Sequence, residues 1–186
     1  MSLYDKFADA LPYADFMSKY GNDAYEAKWR ATYDQVKLTP AQRELLGKFK
    51  RETNVLVLAG AWCGDCASQC PIFDRFVEAT PVLKVRYLDR DDHGDAQARL
   101  QINGGDRIPV VVFFSEDGYE VARYGERTLS KYRDLVEKQT GESCASGIAV
   151  PGDPLLARVT QDWLNEFERV QWILRLSPRL RQLYRD

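Results

Sequence analysis

Three of the four cysteines, Cys63, Cys66 and Cys70, fall within eight residues, and Cys144 stands apart. Spacing this short closes no long loop, so the group does not read as a disulfide framework. Clustered thiols point instead to redox or metal chemistry. Cys63 and Cys66 sit in Trp62-Cys63-Gly64-Asp65-Cys66, directly after the apolar run Val55-Leu-Val-Leu-Ala59 and before a segment predicted helical to about Ala79. The run has the character of a strand buried on both faces. Cys63 is thereby placed at a helix start, where unpaired backbone N–H groups and the positive end of the dipole favour an anion. A thiolate there is a nucleophile for disulfide exchange. Two intervening residues let Cys66 turn back onto the same sulfur, which makes Cys63 the attacking thiol and Cys66 the resolving thiol. Cys70, four residues further on, reads as a small buried residue packed behind the pair, with a third redox thiol as the alternative. The single histidine, His93, lies among Asp91, Asp92, Gly94 and Asp95 and reads as a solvated turn residue. With one histidine, the common zinc sites and Ser/His/Asp arrangements have too few ligands or bases.

The elements that must position these thiols follow from composition and period. At 186 residues and 45% hydrophobic, the chain has enough apolar mass for a sizeable core, burying roughly 70% of its unfolded surface. The net charge of −2 offers no general field for nucleic acid or an anionic membrane. No apolar run approaches bilayer thickness. The first residues alternate charge with apolar side chains and lack a hydrophobic signal segment, so a cytoplasmic protein with reduced thiols is expected. Helices are predicted in pieces before residue 50. One runs over Tyr13 to Tyr20, a second starts at Asn22 or Asp23, and a third starts at Thr39, where Pro40 and Gln42 complete a capping box. Beyond the Val55–Ala59 strand, Lys84–Asp89 and Val110–Phe114 read as strands, with a short helix near Ala96. Ser115-Glu-Asp-Gly118 reads as a hairpin turn into Tyr119–Tyr124, and Thr128 opens a helix to about Lys138. The order β-α-β-α-β-β-α predicts an α/β fold with a central mixed sheet flanked by helices. Residues 139 to 154 read as a Gly/Ser/Pro-rich connection. The stripe Leu156, Val159, Trp163, Phe167, Val170 and Leu174 then marks a long amphipathic helix, with Pro178 as its expected end. Arg179, Arg181 and Arg185 make a basic, solvated tail.

With the Trp-Cys-Gly-Asp-Cys segment in this setting, the sequence resembles the thioredoxin superfamily. Pro71, eight after Cys63, matches the proline that kinks the family's active-site helix. Ile108-Pro109 resembles the family's cis-proline, which faces the cysteine pair. Gly125 matches the glycine that leaves room for a substrate backbone. Leu58-Ala-Gly-Ala-Trp-Cys-Gly-Asp-Cys66 and Ile102-Asn-Gly-Gly105, with helices at both ends, are similar to a bacterial thioredoxin-like subfamily. The resemblance covers about Thr39 to Lys138 and implies a thioredoxin fold with extra terminal helices. It also implies Trp62, Gly64 and Asp65 as active-site support and Trp62, Ile108, Pro109 and Gly125 as substrate-binding residues. The backbone of Ile108 would pair with an extended substrate chain. Two positions depart from the family. Asp65 replaces proline, and its charge beside Cys63 is expected to oppose the thiolate. Val57 stands where the family usually buries an aspartate, which leaves Asp65 or water to take the proton of Cys66.

The expected organisation is a helical extension over 1–38, a thioredoxin-like domain over 39–138, and a linker with a C-terminal helix over 139–186. That last helix packs on the domain or on a second copy, as a possible homodimer. The expected activity is thiol–disulfide exchange on a protein or small-molecule disulfide. Thioredoxin reductase or a small thiol would return the electrons, and no bound cofactor, metal, nucleic acid or membrane would be required. Two other classes stay open: a non-catalytic interaction module on the same fold, and a metal or iron–sulfur protein ligated by Cys63, Cys66, Cys70 and Cys144.

Overall fold

The computed structural model describes residues 2–140 and 155–185. Its centre is a four-stranded sheet in the order β2-β1-β3-β4. Here β1 is Thr53–Ala59, β2 Leu83–Asp89, β3 Val110–Phe114 and β4 Glu120–Gly125. β1 pairs parallel with β2 and antiparallel with β3, and β3 pairs antiparallel with β4. β1 is buried along its whole length, as a central strand covered on both faces must be. Registers set the faces. Val55 opposes Phe113 and Val57 opposes Val111, while Tyr87 of β2 lies beside Val57. These side chains share one face of the sheet, and Leu56, Leu58 and Phe114 point to the other.

The helices in chain order are α1 (Asp5–Asp9), α2 (Tyr13–Tyr20), α3 (Asp23–Gln35), α4 (Pro40–Gly47), α5 (Gly64–Ala79), α6 (Gly94–Arg99), α7 (Leu129–Thr140), α8 (Leu155–Leu176) and α9 (Pro178–Tyr184). Local signals account for several starts. Asn22 caps α3 by accepting from Tyr25 N, and Thr39 and Gln42 form the reciprocal capping box of α4. α5 lies over the Val57–Tyr87 face, with the Tyr87 hydroxyl donating to the Cys70 carbonyl at 3.2 Å. α8 packs beside it: the Phe167 ring meets Phe73 and Phe76 of α5 and Phe113 of β3 at 5.0–5.6 Å. Its outer side leaves Trp172, Ile173 and Leu176 exposed.

The N-terminal helices close the free edge of β2. Leu11 and Tyr87 exchange both backbone hydrogen bonds, at 2.9 and 2.7 Å, so the edge strand gains a partner residue. α3 lies along α5 with Trp29 wholly buried. At the other end the expectation about Pro178 is corrected. α8 stops at Leu176, and Ser177 caps a further helix whose first residue is Pro178. Proline is tolerated at that position because its missing N–H would have no intrahelical partner anyway. Arg179 is likewise not merely solvated, since it pairs with Asp117 and stacks over Tyr119 at 4.5 Å. No described helix is long and apolar enough to cross a membrane.

Candidate active site

Cys63 is the N-cap residue of α5, with extended backbone that ends β1's exit loop and starts the helix. Its sulfur accepts the backbone N–H of Cys66 at 3.4 Å and reaches the Ile108 carbonyl at 3.8 Å. Two elements far apart in sequence thus meet at one sulfur. Cys63 is half-buried, whereas Cys66 and Cys70 are fully buried. Burial raises the Cys66 thiol well above its ordinary range. The Cys63 thiol is raised too: the adjoining Cys66 thiol first and partial burial second push it upward and outweigh the N–H groups of Cys66 and Asp65, which pull it down. The two sulfurs titrate as a pair. Cys63 alone of the two has partial solvent access and the amides of the helix start beside it.

The loop before Cys63 is braced from the N-terminal extension. Trp29 Nε1 donates to the Ala61 carbonyl at 2.9 Å, entirely in the core. Trp62 stands out into solvent, 42% exposed. Its Nε1 donates to Asp91 at 3.2 Å, and the Arg90 guanidinium lies 4.6 Å from the ring centre. A cation over one ring face and an anchored N–H hold this indole in a fixed orientation beside Cys63. Gly64 begins α5 with open space around it.

Asp65 is corrected as a free charge beside Cys63. Its carboxylate is paired with Arg127 at 2.6 Å. Arg127 is in turn fixed by Glu126, whose Oε1 accepts from Arg107 at 2.7 Å, Tyr132 at 2.8 Å and Arg127 at 2.9 Å. Glu126 is 3% exposed, and a buried carboxylate needs such a set of donors. The Arg127 charge therefore offsets the opposition of Asp65 to a Cys63 thiolate. Engaged in that pair, Asp65 is also poorly placed to receive a proton from the inward-facing Cys66. Val57, at the position where an aspartate was the family expectation, is buried against the face under α5.

The Ile108–Pro109 peptide is cis. Gly125 closes the site from β4: a Cβ there would lie 2.5 Å from the Pro109 carbonyl oxygen and 3.1 Å from Val110 Cα, both backbone atoms. Neither can swing aside as a side chain could. Gly125→Ala is expected to lower stability by about 2–3 kcal/mol and to displace the Pro109 strand entry, which chemical denaturation with a disulfide-reduction assay would register together. Wild-type stability with unchanged activity would show that the contact is not tight.

The structure brings Trp62, Cys63, Gly64, Asp65, Cys66, Ile108, Pro109 and Gly125 to one end of the sheet. His93 precedes α6, with no side-chain cap bond to it. Cys144 lies outside the described residues. Among the described residues no group of three or more His, Cys, Asp or Glu side chains is arranged to hold a metal ion. The sequence did not point to Arg127, Glu126 or Trp29 at this end of the molecule, because each acts through a partner in another element.

A strand handing over to α5 through two cysteines, opposite a proline at the entry to β3, on a mixed sheet flanked by helices, is the thioredoxin fold. Residues 11–139 match the family model described as thioredoxin, and the chain belongs to that family. Among solved structures it is similar to a protein of unknown function from Pseudomonas aeruginosa, with 16% identity over 91% of this chain and 97% of that one and a TM-score of 0.70. An HIV epitope scaffold gives 17% identity, the same coverage of 91% and 97%, and a TM-score of 0.70. The thioredoxin of Fasciola hepatica is 24% identical over 52% of this chain and 89% of its own, with a TM-score of 0.36. No curated protein matches.

Proposed function

We propose that the protein is a thiol–disulfide oxidoreductase in which Cys63 attacks and Cys66 resolves. The observation that carries this reading is the pairing of an accessible sulfur at the α5 N-terminus, facing the Cys66 amide at 3.4 Å, with a fully buried second sulfur directly behind it. The Cys63 thiolate attacks one sulfur of a substrate disulfide, and the other leaves with a proton from water. Cys66 then loses its proton and attacks Cys63 Sγ. The Cys63–substrate bond breaks, a Cys63–Cys66 disulfide forms, and the substrate has gained two electrons and two protons in all. Trp62 supplies an exposed apolar surface beside the nucleophile, and Ile108, Pro109 and Gly125 form the wall against which an extended substrate chain would lie.

In this reading the substrate is a disulfide-containing protein or low-molecular-weight disulfide, and thioredoxin reductase or a small thiol reopens Cys63–Cys66. The cytoplasm suits such a cycle, since its thiol pool keeps the dithiol reduced. The test is a trap. Cys66→Ser incubated with a disulfide substrate is expected to accumulate a mixed disulfide on Cys63, seen as an added mass that dithiothreitol removes. A Cys66→Ser protein that never forms the adduct, with folding intact, contradicts the proposal.

A further inference from the structure

Beneath Cys66, α5 carries a row of titratable groups, two buried thiols and a half-buried carboxyl. Cys66, Cys70 and Asp74 follow at intervals of four along one helical stripe. Side chains on a helix lean towards its N-terminus, so each of these reaches back over the turn before it. The Cys66 and Cys70 thiols lie within hydrogen-bonding reach of one another, and Asp74 acts electrostatically on Cys70. Asp74 Oδ2 is buried and has no hydrogen-bond partner. A buried carboxyl oxygen left unpaired costs stability, and native structures keep such groups where they do something.

The groups facing this carboxyl come from three elements: Tyr13 of α2, Tyr87 of β2, and Glu78 and Cys70 of α5. The cations beside them are turned elsewhere, with Arg75 and Arg30 over the Tyr33 ring at 3.6 and 5.4 Å. The N-terminal extension is therefore one wall of the pocket, since α2 supplies Tyr13. Cys66 itself has no water contact, Asp65 is held by Arg127, and Val57 is apolar.

We infer that Asp74 is a positioning residue for the resolving step, receiving through Cys70 the proton that Cys66 loses when it attacks the mixed disulfide. The exchange balances. Asp74 carboxylate takes the Cys70 proton, Cys70 takes the Cys66 proton, the Cys66–Cys63 bond forms, and the substrate thiolate leaves to be protonated by water. Burial first, and the Glu78 charge second, push the Asp74 carboxyl up to about 8. A group with that affinity both holds and releases a proton near neutral pH.

The inference rests on the oxidoreductase reading, and a two-phase experiment separates them. Reduced protein mixed with 5,5′-dithiobis(2-nitrobenzoic acid) releases one coloured thiol when Cys63 attacks and a second when Cys66 resolves. Asp74→Asn should leave the first phase unchanged and slow the second roughly 100-fold. It should also remove the second phase's pH inflection near 8. Asp74→Glu should restore the inflection, and Cys70→Ala should slow the second phase as Asp74→Asn does. Absence of the first phase in the parent protein would overturn the oxidoreductase reading itself. A normal first phase with an inflection that survives Asp74→Asn, or a second phase indifferent to Cys70→Ala, overturns only the role of Asp74.

Folding gives an independent readout. A carboxyl whose folded pKa is raised stabilises most at acid pH, and that stability drains away as pH rises towards the folded value. The thermal midpoint of Asp74→Asn should therefore gain on the parent's between pH 5 and pH 8. Midpoints that run parallel over that range would show that Asp74 holds no proton there, and would also overturn the inference.

Discussion

Cys63→Ser is expected to abolish disulfide reduction while leaving the fold as stable as the parent's. Serine is one of the best helix N-caps, so the hydroxyl can take over the sulfur's contact with the Cys66 amide. What it cannot take over is the chemistry, since an alcohol at neutral pH carries no appreciable anion and does not exchange with disulfides. Cys66 offers no substitute, being wholly buried with its thiol raised far above neutral pH. Turnover of a small disulfide should fall to the rate without protein, with the thermal midpoint held within a few degrees. Residual turnover through Cys66 would require an access route that the packing of α5 denies. Loss of the fold instead would show that the thiol has a structural role that serine cannot fill.

The second large effect is expected at Trp163, far from the thiols in sequence. The ring is wholly buried. It stands edge-on to Phe73 at 4.7 Å and to Tyr124 at 5.0 Å, and its Nε1 donates to Gln69 Oε1 at 3.1 Å. Trp163→Ala removes that volume, at about 3–5 kcal/mol, and leaves Gln69 Oε1 without its donor in the core. For a chain of this size the thermal midpoint should drop by roughly 10 °C or more. Trp163→Phe keeps most of the packing and loses the hydrogen bond, so about 1–2 kcal/mol is expected. Gln69 also donates to the carbonyls of Asp65 and Glu126, at 3.3 and 3.0 Å. Alanine at 163 should therefore also slow disulfide reduction. A drop below about 1 kcal/mol for Trp163→Ala would mean that α8 is not integral to the core.

The elements were legible where one segment carries its own signal. The apolar run Val55–Ala59 announces a strand covered on both sides, and the Thr39–Gln42 box announces a helix start whatever lies around it. Cys63-Gly-Asp-Cys66 was legible as a candidate site because the strand before it and the helix after it fix where the first sulfur sits. Pro178 misled because proline ends one helix and begins another equally well. Ser177 immediately before it is the signal that decides for a beginning. The long-range pairs had no such signal. Arg127 finds Asp65 only because β4 ends beside the α5 N-terminus, and Trp29 finds Ala61 only because α3 runs along α5. Asp74 is the plainest case. In sequence it is one more polar residue on a helix, and the burial of its Oδ2 exists only once the chain is folded around it.

The central claim is tested most directly by an equilibrium titration in defined thiol buffers, reading each cysteine by differential alkylation and mass spectrometry. The account predicts one two-electron couple joining Cys63 and Cys66, between roughly −200 and −280 mV, the range of thioredoxins and glutaredoxins. In that titration Cys70 should stay reduced throughout. If no disulfide forms across the accessible range, or if oxidation pairs Cys70 in place of Cys63, the dithiol mechanism proposed for this site is wrong.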